Sequence, residues 1–356
     1  MPPLLGNPHG RASSSVELCT TICYDVDATQ ALVYSLPIGE DGWIIMAHTV
    51  GILGNVNMDL IMGPLPKLPS WGHELVVPLM ETRATGAAGY TAMALDRLGL
   101  STTVVGSIGD DIWGNFIRHE FARYPHADMS GVESVAGVAT GLSVALLNQQ
   151  GQRGFVSFSG ALDKLDSQML ARHESLLLAA RYILVCGYFF MPALRGDPMH
   201  AFLRRARQAG AIVMLDTGWD LDDWPPSTCA EVLSLLTDVD IFLPNIDEAQ
   251  ALVGAGAPQN CAQRLLDRGA RAVALKLGAG GSLWADRQQI VVQPGRTVTA
   301  VDTTGAGDSF NAALIYGLEQ GWGMARTLAF ANAFCSVIVS RLRDRFPSVE
   351  ETLTLL

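Results

Sequence analysis

The sequence predicts an α/β fold: a mostly parallel sheet with helices on both faces and a smaller β layer projecting from it. Strand-like and helix-like runs alternate along most of the chain, the signature of such a layered sheet. Two stretches break the alternation in a way that suits a separate β layer. A small-residue turn, Asp302-Thr303-Thr304-Gly305-Ala306-Gly307-Asp308, joins a β-branched run (Thr297, Val298, Thr299, Val301) to an amphipathic helix late in the chain.

The first 45 residues are rich in Ser, Thr, Gly and Pro and show no sustained period. They are expected to be a poorly ordered extension that adds nothing to catalysis, with Met46 as the working start. Strands are expected at Val50–Leu53, Thr102–Val105, Tyr182–Val185, Ala211–Leu215, Asp240–Leu243 and Ala272–Leu277. Between them lie helix-like runs at Gly89–Leu98, Asp111–Tyr124, Met199–Gln208, Cys229–Leu236, Asp247–Val253 and Cys261–Arg268. Gly99 and Gly269 fit helix stops. Met62–Thr85 holds four prolines and a period-2 run around Glu74–Leu79. Gly137–Phe158 reads as a hairpin around Gln150-Gly151-Gln152. These two stretches form the projecting layer. The helix after the 302–308 turn carries Phe310, Ala313, Leu314, Gly317 and Leu318 as one apolar stripe. Residues 46–347 make one functional domain, and 348–356 a short tail.

Composition narrows the function. The 356 residues are half apolar, with a formal charge of −11. That suits a folded protein and shows no basic footprint for nucleic acid. No apolar run approaches the length of a membrane span. Six scattered cysteines, of which only Cys19 and Cys23 lie close, do not complete a zinc pattern and fit a reducing cytoplasm. The seven histidines form no i, i+4 pair.

The 302–308 turn carries the chemistry. A small-residue turn that opens a helix leaves backbone amides unpaired, and the helix dipole adds positive potential there. Such a place binds a phosphate or a developing oxyanion. Asp308 stands in the first turn of the same helix. An anion cradle beside a carboxylate suits phosphoryl transfer to a hydroxyl, with the carboxylate taking the proton. The helix N-terminus is expected to keep the Asp308 pKa low. Gly278-Ala279-Gly280-Gly281 lacks the Lys-Ser/Thr of a P-loop. Gly305-Ala306-Gly307 lacks the third glycine of a dinucleotide fingerprint, which argues against a dehydrogenase. Asp110 and Asp111 read as helix caps. Tyr188-Phe189-Phe190, at a strand end, reads as core or as a wall of the acceptor pocket.

The 302–308 run resembles the C-terminal signature of the ribokinase-like (PfkB) sugar kinases. Further matches keep that family's order: Gly54-Asn55-Val56-Asn57-Met58-Asp59, Gly86-Ala87-Ala88-Gly89, Gly106-Ser107-Ile108-Gly109-Asp110-Asp111, Asn245-Ile246-Asp247-Glu248 and Leu277-Gly278-Ala279-Gly280-Gly281. The resemblance spans about residues 48–347. It implies a three-layer α/β/α domain with a β-sheet lid, formed by about 62–85 and 137–158, that phosphorylates a substrate hydroxyl from ATP. Asp308 resembles the catalytic base, and Gly305, Ala306 and Gly307 the anion hole. Asn245 and Glu248 resemble the pair that organises magnesium and the phosphates, Glu248 through water. Lys276, Gly278, Gly281 and Asn332 fall in the nucleotide site. Asn57, Asp59, Gly86 and Tyr90 fall in the acceptor site. Asp302 is a candidate ligand for a monovalent cation such as K+. The resemblance places the acceptor between the lid and the strand ends, and ATP in a groove across the C-terminal half. The lid's strand edges could also join two copies as a homodimer.

The chain departs from the family pattern at three places. Thr85 replaces the first glycine of the Gly-Gly turn, and Tyr90 replaces an asparagine that contacts substrate. The flat ring of Tyr90 keeps a nucleoside acceptor open beside a sugar. Arg343-Asp344-Arg345 stands near a loop that in the family often reads Gly-Ala beside the cation site. A catalytically silent sugar sensor is the alternative from another class; the retained Asp308 and glycine turn argue against it.

Overall fold

The computed structural model describes residues 34–38, 42–46, 48–149 and 153–356. Strands β1 (Tyr34–Ile38) and β2 (Gly42–Met46) pair as an antiparallel hairpin. Most of the expected N-terminal extension, and the Gln150-Gly151-Gln152 turn, lie outside the described residues. Strand β3 (His48–Gly54) is buried from Thr49 onward, as befits a strand covered on both faces. Next come β4 (Asn57–Leu65), β5 (Leu79–Thr85), α1 (Ala87–Arg97), β6 (Thr102–Gly109), α2 (Ile112–Phe121) and β7 (Ala127–Val135). The chain continues through β8 (Leu142–Asn148), β9 (Arg153–Phe158), α3 (Ser167–Leu178), β10 (Ala180–Cys186), α4 (Asp197–Gln208), β11 (Ile212–Asp216) and α5 (Pro226–Leu235). It closes with β12 (Ile241–Phe242), α6 (Ile246–Val253), α7 (Pro258–Asp267), β13 (Ala272–Lys276), β14 (Ser282–Asp286), β15 (Ile290–Gln293), α8 (Ala306–Glu319), α9 (Met324–Val339) and α10 (Val349–Leu353).

The main sheet runs β15-β14-β13-β12-β11-β10-β3-β6-β7. Its pairs are parallel except β13–β14 and β14–β15. Alternation along each strand divides the core into two layers. Val50, Ile52, Tyr182 and Leu184 pack on the side of α1, α8 and α9. Leu53, Ile183, Val185 and Val213 pack on the side of α4, α5 and α7. From β3 the chain winds to β6 and β7 on one side and, later, to β10 and β11 on the other. This is the switch point of the sheet, where open α/β folds bind ligands beyond the strand ends.

The second sheet, β5-β4-β8-β9, is the projecting layer. It differs in extent from the expectation. Its first strand begins at Asn57, five residues before Met62. The alternating Glu74–Val77 stretch lies outside any strand and leaves Val76 exposed. The strand proper starts after Pro78, a residue that cannot donate to a ladder. The expected C-terminal tail contains α10: the Ser348 hydroxyl accepts from the Glu351 amide at 3.1 Å, and Val349 and Leu353 pack on the core.

Candidate active site

Gly305 is the hinge on which the 302–308 turn enters α8. Its φ of 74° is left-handed, and a Cβ there would lie 2.7 Å from the Tyr90 ring. Only glycine meets both conditions. The Ala306 amide donates to the Thr303 carbonyl at 3.2 Å, and the Ser309 amide to the Gly305 carbonyl at 2.9 Å. The Gly307 amide has no acceptor among the described residues. Ala306 and Gly307 line a cavity of about 380 Å³, together with Lys276, Gly278, Gly281, Phe310 and Asn332. At Gly281 (φ 94°) a Cβ would meet the Gln293 carbonyl at 2.2 Å, so this turn too depends on glycine. Asn332 donates to the carbonyls of Gln293 (3.1 Å) and Pro294 (3.2 Å) and thereby pins the cavity rim.

Asp308 belongs to a charged cluster beside this cavity. Burial pushes its carboxyl up to about 8, and the neighbouring Asp216 charge adds to the rise; Lys276 and its own amide pull it down. The low value expected from the helix N-terminus is therefore reversed, because desolvation and a second carboxylate outweigh the dipole. The Lys276 ammonium lies 2.7 Å from Asp216 Oδ2, which also accepts from Asn311 Nδ2 at 2.6 Å. Lys276, which the resemblance places in the nucleotide site, is thus held by a carboxylate at the end of β11. Asp216, Asn311 and that pairing were missed in the sequence. The signal was available: an acid directly after a strand, where open sheets place ligands.

Asn245 and Glu248 form a reciprocal cap on α6. The Glu248 amide donates to Asn245 Oδ1 and the Asn245 amide to Glu248 Oε2, both at 2.9 Å. Glu248 is 4 % exposed, and burial followed by the Asp216 charge raises its pKa. Its second oxygen takes no part in the cap.

The acceptor candidates gather on the other side of Gly305. Asn57 donates to Asp59 Oδ1 (3.1 Å) and accepts from Asn55 Nδ2 (2.8 Å). Burial raises the Asp59 carboxyl to about 6, against the lowering pull of Thr85, Arg83 and Asn57. Gly86 (φ 91°) opens α1 so close to the Asn55 carbonyl that a Cβ would lie 2.2 Å away. Tyr90 is 6 % exposed, and its hydroxyl is buried without a hydrogen-bond partner among the described residues. Its ring is used against Gly305, and the charges of Asp59, Arg83, Arg345 and Asp302 surround it.

Asp302 is not arranged around an open ion site. Its Oδ2 lies 2.5 Å from Arg83 Nη1 and 3.4 Å from Arg345 Nη1, and its Oδ1 accepts from the Thr304 amide at 2.8 Å. The Tyr188 hydroxyl donates to Glu231 and Phe189 packs edge-on against Trp224, so these two buried rings serve the core. Asp111 caps α2 as expected, accepting from the Trp113 and Gly114 amides. Asp110 makes no such cap and is exposed.

The pfkB family carbohydrate kinase model matches residues 49–351. The chain is 25 % identical over 320 residues to ribokinase of Haemophilus influenzae, covering 87 % of this chain and 99 % of that protein. The structure of Arabidopsis thaliana ribokinase complexed with ribose and ATP superposes with a TM-score of 0.74 at 26 % identity, over 87 % of this chain and 99 % of that one. A putative ribokinase II from E. coli, in complex with ATP and Mg²⁺, shares the fold with a TM-score of 0.74 at 21 % identity, over 86 % of this chain and 98 % of that one.

Proposed function

Since the chain belongs to the pfkB family of carbohydrate kinases, phosphotransferases with an alcohol group as acceptor, we propose that it phosphorylates a sugar hydroxyl from ATP with Asp308 as general base. The observation that carries this reading is the unspent Gly307 amide one residue before a carboxyl whose affinity for protons is raised. Asp308 takes the acceptor's proton as its oxygen bonds to the γ-phosphorus; the P–O bond to the β-phosphate breaks and ADP leaves. Charge on the moving phosphoryl falls to the Gly307 amide, aided by the helix dipole, while the Ala306 amide is held by the Thr303 carbonyl. A raised pKa suits a base that works near neutral pH. The cavity bounded by Gly278, Gly281 and Asn332 would hold the nucleotide.

Magnesium, when bound, would neutralise phosphate charge. Among the described residues no three ligating side chains cluster into a ready-made metal site, so the ion would arrive with ATP and keep its waters. Glu248, with an oxygen outside the cap, fits a water-mediated hold. On the acceptor side, Asn57 and Asp59 offer polar atoms for vicinal hydroxyls. The Tyr90 ring is occupied by Gly305, which leaves its hydroxyl and no stacking face. That favours a sugar over a nucleoside.

The free thiols of Cys186, Cys229, Cys261 and Cys335 suit a cytoplasmic setting. No helix among the described residues is long and apolar enough to cross a membrane. On the lid, exposed Met80, Phe155, Val156 and Phe158 support a homodimer, which sedimentation of the purified protein would test.

A coupled ADP-release screen over ribose, fructose, ketodeoxygluconate and adenosine tests the function. Release with a sugar is expected. Release with adenosine alone moves the protein to the nucleoside kinases, and silence across a broad hydroxyl panel overturns the kinase reading.

A further inference from the structure

We propose that Arg345 takes the place of a monovalent cation beneath the 302–308 turn, so that this protein works without potassium. The turn does present the oxygens such an ion would use: the Asp302 and Thr304 carbonyls and the Asp302 carboxylate converge on one point. That point is filled. Arg345 Nη2 donates to the Asp302 carbonyl at 2.9 Å and to the Thr304 carbonyl at 2.8 Å. Its Nη1 lies 3.4 Å from Asp302 Oδ2, and its Nε donates to the Ile338 carbonyl at 3.3 Å. The side chain is 7 % exposed.

An alkali ion is held by carbonyl oxygens that replace its water. Here guanidinium N–H groups replace it instead, and they do so permanently, since arginine does not lose its proton in proteins. An ion cannot enter the point that the guanidinium fills. The charge balance is against it too: Asp302 already faces two guanidinium groups, from Arg83 and Arg345. The position has a consequence for the site. A peptide unit is planar and trans, so a carbonyl held on one side sends its N–H to the other. By gripping the carbonyls of Asp302 and Thr304, Arg345 orients the peptides that lead into Gly305 and presets the turn. It is a positioning residue, covalently attached at the point a diffusible ion would otherwise occupy.

The inference rests on the kinase reading for its turnover arm and on geometry alone for its melting arm. Purified protein would be melted, and assayed for ADP release, in potassium, sodium and choline chloride at equal ionic strength. Expected are one melting temperature and turnover equal within about twofold in all three salts. Arg345→Ala should lose about tenfold or more in choline and regain most of it with potassium or free guanidinium, and potassium should raise its melting temperature by binding the native state. Arg345→Lys, which keeps the charge without the fork, serves if the alanine variant does not fold; it should melt lower than wild type and respond to potassium. A wild-type enzyme stimulated about fivefold by potassium, a wild-type melting temperature raised by potassium but not sodium, or a variant fully active in choline would each overturn the proposal. If wild type releases no ADP with any acceptor, the kinase reading fails while the melting comparison still decides the ion.

Discussion

Asp308 is placed where basicity and stability pull in opposite directions. Burial, and then Asp216, raise its carboxyl from 3.8 to about 8. Between those values the folded protein holds a proton that the unfolded chain has released. This group therefore favours the fold at low pH, and the contribution is lost as pH rises through about 8. Asp308→Asn removes the titration. Its melting temperature should exceed that of wild type near about pH 9, with the gap closing near pH 4. Its kcat should fall by about 10³-fold, within the range for loss of a general base. Wild-type kcat/KM should climb with pH and level off above about 8; a profile flat from pH 6 to 9 would contradict the assignment. Tyr90 gives a second test at this scale. Its hydroxyl is buried without a partner among the described residues, so Tyr90→Phe should leave the melting temperature unchanged or higher. KM for the sugar should rise by about three- to tenfold, the worth of one hydrogen bond. An unchanged KM would remove Tyr90 from the acceptor site.

Helix α6 shows how one motif serves fold and site together. Asn-x-x-Glu is both a family signature and the spacing of a capping box, and the structure realises the second in full. Asn245→Ala should cost about 1 kcal/mol of stability through the lost cap, read as a lower melting temperature. Glu248→Gln keeps an oxygen acceptor for the Asn245 amide, so the fold should persist. Its magnesium titration should shift to higher concentration, and an unshifted midpoint would confine Glu248 to capping. The late helix was legible for a similar reason: a small-residue turn before an apolar stripe has few alternative meanings. By contrast, α3 and α9 escaped notice. Helix α9 is apolar almost all round because it is buried along most of its length, which erases the 3.6-residue contrast on which recognition depends. The alternation at Glu74–Leu79 misled for the converse reason, since period-2 polarity without a partner strand makes no sheet.

Across the whole molecule, Arg83 ties the second sheet to the 302–308 turn. It stands on lid strand β5, pairs with Glu81 on the same strand, and reaches Asp302, 219 residues away in sequence. Asp302 is 2 % exposed and Arg83 is largely buried, so breaking the bridge leaves a buried carboxylate facing one guanidinium in place of two. Arg83→Ala should speed hydrogen exchange in β5 and lower kcat/KM for the acceptor by about tenfold. KM for ATP should change little, because the cavity proposed for the nucleotide lies on the other side of Gly305. Unchanged exchange in β5 would show that the lid is held by its own strands.

The linear chain settled what depends on neighbours in sequence. The strand–helix alternation, the glycine turn, Asp308 in the first turn of its helix and the Asn-x-x-Glu spacing are local, and each could be read directly. Folding alone decided which distant groups meet. Asp216 on Lys276, Arg83 and Arg345 on Asp302, and the Tyr90 ring beneath Gly305 join positions 43 to 219 residues apart, and no local period marks such pairs. Their charges and desolvation also set the Asp308 proton affinity, which a helix N-terminus by itself would have set low. Proximity through space governs electrostatics, and the order of residues does not state it.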